Sequence, residues 1–152
     1  MTAGTEHNRE PDSDLVSIIM PTYNCGAFIA ETIATVPAQT HPRWELLVVD
    51  DCSTDDTTDV VGALAKDDPR IRYVRLETNS GAAMARNRAM ELAQGRYMAF
   101  LDSDDLWHPD KLRRQINFMT SRGVAMSCTA YAQIDEQGVP TGRIVRSPAR
   151  IS

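Results

Sequence analysis

Four short apolar runs, three of them ended by polar clusters and each followed by a helix-patterned stretch or turn, constrain this chain more than any other feature. The runs are Leu15 to Met20, Trp44 to Val49, Ile71 to Leu76 and Tyr97 to Leu101. They are too short for ordinary helices and, at their most continuous, read as strands buried on both faces. Phe28 to Gln39 places Ile29, Ile33 and Val36 at helical spacing, with Pro37 expected to kink that helix or end it early because it removes a backbone donor. After the second run, Ser53 or Thr54 is suited to cap a helix, Asp55 and Asp56 suit its positive end, and Thr57, Val60, Val61 and Leu64 form its apolar face. Asn79-Ser80-Gly81 turns the chain into a helix from Ala82 to Gln94 that Gly95 stops. Pro109 is placed as the first residue of a helix reaching about Ser121, and Val124 to Ile134, a turn at Asp135 to Gly138, and Val139 to Val145 read as a hairpin. Strands alternating with helices imply right-handed crossovers, hence an α/β fold with a mostly parallel sheet flanked by helices on both faces.

Composition limits the functions open to such a fold. The 152 residues, 42% of them hydrophobic, suffice for one core that buries about 70% of the surface exposed by the unfolded chain. Lys and Arg number 16 against 21 Asp and Glu, a net charge of −5 with no basic block, so nucleic acid is not an expected partner. No apolar run approaches the roughly 18 residues of a membrane span, and the polar segment 1–14 lacks the apolar stretch of a secretion signal. The expectation is a disordered leader over 1–14, one domain over 15–152 ending in a linker from Ser147 to Ser152, and a cytoplasmic location. Cys25, Cys52 and Cys128 are widely spaced and are read as reduced, half-buried thiols. His7, His41 and His108 are isolated and read as structural or solvent-exposed, while Met84, Met90, Met98, Met119 and Met126 fall at apolar positions and read as core filler.

In an open parallel sheet, ligands bind outside the carboxyl ends of the strands. Three of those ends carry polar clusters: Pro21-Thr22-Tyr23-Asn24, Asp50-Asp51 and Asp102-Ser103-Asp104-Asp105. Asp and Asn also close strands simply as turn and cap formers, and that reading stays open for each cluster taken alone. The last cluster concentrates three carboxylates whose repulsion a hard divalent ion would relieve, and Mg2+ or Mn2+ would complete its shell with water and phosphate oxygens. A carboxylate at Asp51 can accept the imide N3–H of uracil, a proton cytosine lacks, and Tyr23 can stack on a base. Either could instead be structural, Asp51 as a cap and Tyr23 at the sheet edge. Arg86 lies about one turn into the helix that follows Gly81, where an anionic group could be received or a surface ion pair formed.

Taken in order, V-S-I-I-M-P-T-Y-N, V-V-D-D-C-S-T-D-D-T, N-S-G-A-A-M-A-R-N-R-A and G-R-Y-M-A-F-L-D-S-D-D-L-W resemble the N-terminal half of a family 2 glycosyltransferase of the GT-A, Rossmann-like fold. The likeness covers Val16 to about Val145 and has the flavour of bacterial enzymes that build teichuronic acid, capsule or lipopolysaccharide. It implies a UDP-sugar donor and a nucleotide site of Pro21, Thr22, Tyr23, Asp51, Gly81, Arg86 and Asp104. It also implies a Mn2+ or Mg2+ ion held among Asp102, Asp104 and Asp105, and inverting transfer to a polysaccharide or lipid-linked acceptor, with work at the inner face of a membrane. Pro37 departs from the family's usual apolar residue. Family members are longer, so the C-terminal part with the general base is expected beyond Ser152, and an uncovered apolar face would favour self-association. Asp135 and Glu136, in a hairpin turn, are poor substitutes for that base. Two alternatives follow: a nucleotide-binding fragment without turnover, and a haloacid-dehalogenase-type phosphatase, which Leu106 and the missing downstream Lys and acid pair disfavour.

Overall fold

The computed structural model of the chain describes residues 14–135 and 137–146. The expected leader up to residue 13, His7, Glu136 and the expected linker at Ser147 to Ser152 lie outside the described residues. The chain divides into two compact units, residues 1–112 and 113–152.

The first unit is built on a four-stranded parallel sheet of order β3-β2-β1-β4, with β1 at Val16–Thr22, β2 at Trp44–Asp50, β3 at Ile71–Arg75 and β4 at Tyr97–Phe100. Its helices are α1 (Gly26–Ala34), α2 (Thr57–Asp67) and α3 (Ala82–Leu92). Every residue of β1 and β2 is buried, as continuous apolar runs require, whereas the edge strands β3 and β4 are only partly covered. On one face Ile19, Leu47 and Val49 pack with Ala85 and Ala89 of α3, whose small side chains let the helix lie close. The alternate residues Ile18, Met20, Leu46 and Val48 are equally buried, as are Ile29 and Ile33 of α1 and Val61 of α2.

Several boundaries differ from expectation for identifiable reasons. β1 runs through Pro21 to Thr22. The carbonyl of Ile19 accepts from Leu101 N, so Pro21, two residues on, turns its missing donor to the same β4 side, where the ladder has already ended. α1 stops at Ala34, ahead of Pro37 as predicted. α3 ends at Leu92, before Gly95; the glycine serves instead where the chain passes β1, since a Cβ there would lie 2.6 Å from the Leu15 carbonyl oxygen. Beside it Glu45, buried in β2, accepts from Ser17 Oγ, Gln94 N and Arg72, and so ties three strands and the α3–β4 connection together. Met84 and Met98 are about half exposed and Met126 more so, so these three are not core filler; Phe100, also half exposed, shares with Met98 the face of β4 level with Ile19.

The helix α4 (Lys111–Arg122) begins two residues after Pro109, because the Pro109 carbonyl is taken by Thr40 N. In the second unit β5 (Tyr131–Ile134) and β6 (Pro140–Val145) pair antiparallel, the expected hairpin with a later start. Asp135 shapes its turn by accepting from Gln137 N and Val139 N. No helix among the described residues is long and apolar enough to cross a membrane.

Candidate functional site

The strand order reverses at β1, whose neighbours β2 and β4 leave it toward opposite sides of the sheet. Such a switch point opens a crevice at the carboxyl ends of the strands. A cleft of about 490 Å3 lies there, walled by Pro21, Thr22, Tyr23 and Cys25 after β1, Asp51 after β2, Asn79, Gly81, Ala82 and Arg86 at α3, and Asp102, Ser103 and Asp104 after β4. The structure thus brings together Pro21, Thr22, Tyr23, Asp51, Gly81, Arg86, Asp102 and Asp104 of the residues singled out in the sequence. Asp105 stands outside that wall.

The β1–α1 loop is fixed by the neighbouring β2–α2 loop. Asn24 adopts a left-handed backbone (φ 49°), its amide donating to Ser53 Oγ and its side-chain oxygen accepting from Thr54 N. Cys25 N donates to Thr57 Oγ1 and Gly26 N to Asp55. Ser53 and Thr54 therefore brace the adjacent loop and do not cap α2, which starts after Asp56 without a side-chain cap. The Thr57 hydroxyl, followed by the amides of Gly26 and Thr57, holds the Asp55 carboxyl below the usual carboxylate range.

Asp51 is buried, and its two oxygens accept the amides of Ser80 and Gly81 at 2.7 Å each. Gly81 has φ +90°, a conformation that favours glycine and lets α3 begin directly at the cleft. Tyr23 is 48% exposed, leaving ring surface open to a stacking partner. Thr22 Oγ1 is buried without a hydrogen-bond partner among the described residues, an orphaned polar atom in the cleft wall that a bound group would satisfy. Cys25, which the sequence left as an ordinary thiol, also lines the cleft, its Sγ accepting from Ser103 Oγ. Cys25 and Cys52 are half-buried thiols as expected; Cys128 is exposed.

Arg86 donates to Asp102 at 3.1 Å across the cleft. Arg88, two residues on and so on another side of the helix, pairs with Glu91 and takes no part. With Asp102 engaged, the three strand-four carboxylates do not converge: no group of three His, Cys, Asp or Glu side chains among the described residues could hold an ion by itself. The carboxylate oxygens of Asp104 and Asp105 are nevertheless of the hard type that a divalent cation prefers. Burial, then the charges of Asp104 and Asp102, push the Asp105 carboxyl up, with Lys111 opposing. Negative charge is in excess there, and an ion sharing Asp104 and Asp105 oxygens with a phosphate would relieve it. Burial brings Lys111 down to about 8, and its ammonium sits 4.3 Å from the Trp107 ring centre.

Residues 17–149 match the family described as Glycosyl transferase family 2. Over 138 residues the chain is 49% identical to TuaG of Bacillus subtilis (strain 168), whose name assigns it to teichuronic acid biosynthesis, covering 91% of this chain and 55% of TuaG. It is 42% identical to WfaP of Escherichia coli, named a UDP-Glc:alpha-D-GlcNAc-diphosphoundecaprenol beta-1,3-glucosyltransferase, over 91% of this chain and 54% of WfaP. The chain thus spans about half the length of these relatives. Among solved structures it is similar to TarS 1-349 of S. aureus in complex with UDP (TM-score 0.67, 35% identity, 72% of this chain and 33% of that one). It is also similar to the mannosyltransferase PcManGT of Pyrobaculum calidifontis in complex with GDP-Man and Mn2+ (TM-score 0.66, 29% identity, 83% and 37%). These likenesses bear out the GT-A fold and take the place of the phosphatase alternative.

Proposed function

Because the chain belongs to glycosyl transferase family 2, we propose that its cleft binds the nucleotide of a UDP-sugar and forms the donor half of an inverting transferase that builds cell-surface polysaccharide. The observation that carries this reading is Asp51: a buried carboxylate, at the carboxyl end of a central strand and in the cleft wall, held at a fixed position by two backbone amides. A carboxylate offers about four acceptor sites, so two donors leave capacity for the imide N3–H of uracil. Guanine also presents an imide-type N–H, and the named donor of WfaP and the ligand of TarS support uracil over it.

In this reading Tyr23 stacks on the base, Pro21 and Thr22 line its edge, and the Thr22 hydroxyl finds its partner on the nucleotide. Asp104 meets the ribose or shares with Asp105 the protein side of a Mn2+ or Mg2+ site. That ion, when bound, supplies Lewis-acid stabilisation of the diphosphate leaving group. Arg86 adds positive charge beside the nucleotide, and Asp102 orients it, reaching the ion only by releasing it. The acceptor hydroxyl loses its proton to a carboxylate as its oxygen displaces UDP from the sugar carbon, and in this reading the carboxylates of the described cleft wall, Asp51, Asp102 and Asp104, are all assigned to the donor side. The acceptor class we propose is a lipid-linked or polysaccharide chain, met in the cytoplasm at the inner face of the membrane, in keeping with the acceptor in the name of WfaP.

Calorimetric titration with UDP, CDP and GDP in the presence of Mn2+ tests the reading. UDP is expected to bind most tightly. Equal affinity for UDP and CDP rules out a uracil-reading site, and preference for GDP reassigns the base.

A further inference from the structure

Behind the cleft, and outside its wall, lies a second carboxylate that the proposed chemistry does not use. Asp50 is the last residue of β2 and is fully buried. A buried carboxylate must be met by donors, and here four converge. Its Oδ1 accepts from Ser53 N at 2.9 Å and from Ser53 Oγ, and its Oδ2 accepts from Tyr73 Oη at 2.6 Å and from Thr58 Oγ1 at 3.3 Å. Arg75, paired with Asp50 in the β2–β3 register, completes the cluster by donating to Thr58 Oγ1 and to the Ser53 carbonyl. These contacts clamp a sharp corner in which Cys52 adopts φ 69°, a left-handed conformation unfavourable for a side chain with a Cβ. Asp51 sits within that corner, between Asp50 and Cys52.

We infer that Asp50 is a positioning residue: with Tyr73, Thr58 and Arg75 it holds the corner that aims the Asp51 carboxylate at Ser80, Gly81 and the cleft, and thereby sets base selectivity. Neighbouring backbone alone does not fix the corner. Asp51 N is anchored to the Thr22 carbonyl; beyond it Ser53 is also held by Asn24 N and by Arg75, but only Asp50 takes the Ser53 amide and the Ser53 hydroxyl proton, so its loss removes the two bonds nearest Cys52 and favours relaxation toward negative φ. Relaxation there turns the strand end and withdraws the Asp51 oxygens from the two amides. The base-selectivity half of this inference rests on the uracil reading above; the positioning half does not.

The test compares the full chain with Asp50→Ala, Asp50→Asn and Tyr73→Phe by amide hydrogen exchange and by titration with UDP and CDP. Asp50→Ala is expected to raise exchange at Ser80 and Gly81 about tenfold or more and to lower the ratio of UDP to CDP affinity. Asp50→Asn restores both, because its oxygen still accepts from Ser53 N and its amide group can donate to the rotatable hydroxyls of Tyr73 and Thr58. Tyr73→Phe, which leaves Ser53 bonded, gives a smaller change of the same sign and stands in if Asp50→Ala does not fold. Protection of Ser80 and Gly81 unchanged in a folded Asp50→Ala or in Tyr73→Phe overturns the inference. Responsive amides in a chain that never distinguishes UDP from CDP uphold the positioning role and remove the uracil reading alone.

Discussion

Asp51 Oδ2 accepts the Gly81 amide at 2.7 Å, so the end of β2 and the start of α3 are joined through one carboxylate. Its other oxygen takes the Ser80 amide. Asparagine at this position keeps one acceptor but turns an NH2 toward a backbone N–H that cannot rotate away. Asp51→Asn is therefore expected to weaken UDP and CDP binding together through the loosened turn and also to abolish any preference for UDP. A charge-assisted bond of about 1.5–3 kcal/mol puts that preference at roughly ten- to hundredfold. Calorimetry on both proteins checks it; a preference that survives in Asp51→Asn assigns base reading to another residue.

Divalent ions are expected to strengthen binding of UDP far more than of uridine, since only the diphosphate can share an ion with Asp104 and Asp105. The double variant Asp104→Ala, Asp105→Ala should erase the difference. Titrations of UDP that coincide in chelator and in Mn2+ would exclude an ion at this position.

The Arg86–Asp102 pair is well exposed, at 37% and 62% of the side chains, so its share of stability should be under about 1 kcal/mol. Asp102→Asn should leave the melting temperature nearly unchanged while lowering UDP affinity severalfold, because the guanidinium loses its fixed direction. Unaltered affinity, measured by the same titration, would make the pair a bystander.

Lys111 provides a pH signature. Burial lowers its folded value from 10.5 to about 8, so between those limits the unfolded chain holds more protons than the folded one. Stability must then rise as pH increases from about 8 toward 10.5, the penalty of the buried ammonium being fully present below that window. Urea unfolding across this range should show the rise in the unmodified chain and lose it in Lys111→Met. A flat profile in both would show that the ammonium is solvated.

The order of elements was legible because β1 and β2 are buried on both faces and their apolar runs are uninterrupted. Polar punctuation identified most of the cleft because Thr22 closes β1, Asp51 follows β2 directly, and Asp102 to Asp104 lie just beyond the end of β4. What escaped was long-range. Nothing near Asp50 in sequence shows that Tyr73 and Arg75 will meet it; Ser53 and Thr54 have the chemistry of helix caps but are spent on another loop, and Asp55 divides its carboxylate between that loop at Gly26 and Thr57 at the start of α2. Glu45 reads as one polar residue in an apolar run until Ser17, Arg72 and Gln94 arrive around it. The strand-four aspartates were the opposite case: their density suggested convergence, and a single arginine from α3 draws the first of them aside.

The bracing between the loops at Asn24 to Gly26 and Ser53 to Thr57 has a consequence for calorimetry. Backbone already held by cross-loop bonds surrenders little conformational entropy when a ligand arrives, so the ordering cost of association should fall chiefly on the exposed ring of Tyr23. Unlocking the loops, for instance by Ser53→Ala, would then show itself as a less favourable binding entropy at nearly constant enthalpy: the fold has settled in advance much of the disorder that the nucleotide would otherwise have to remove.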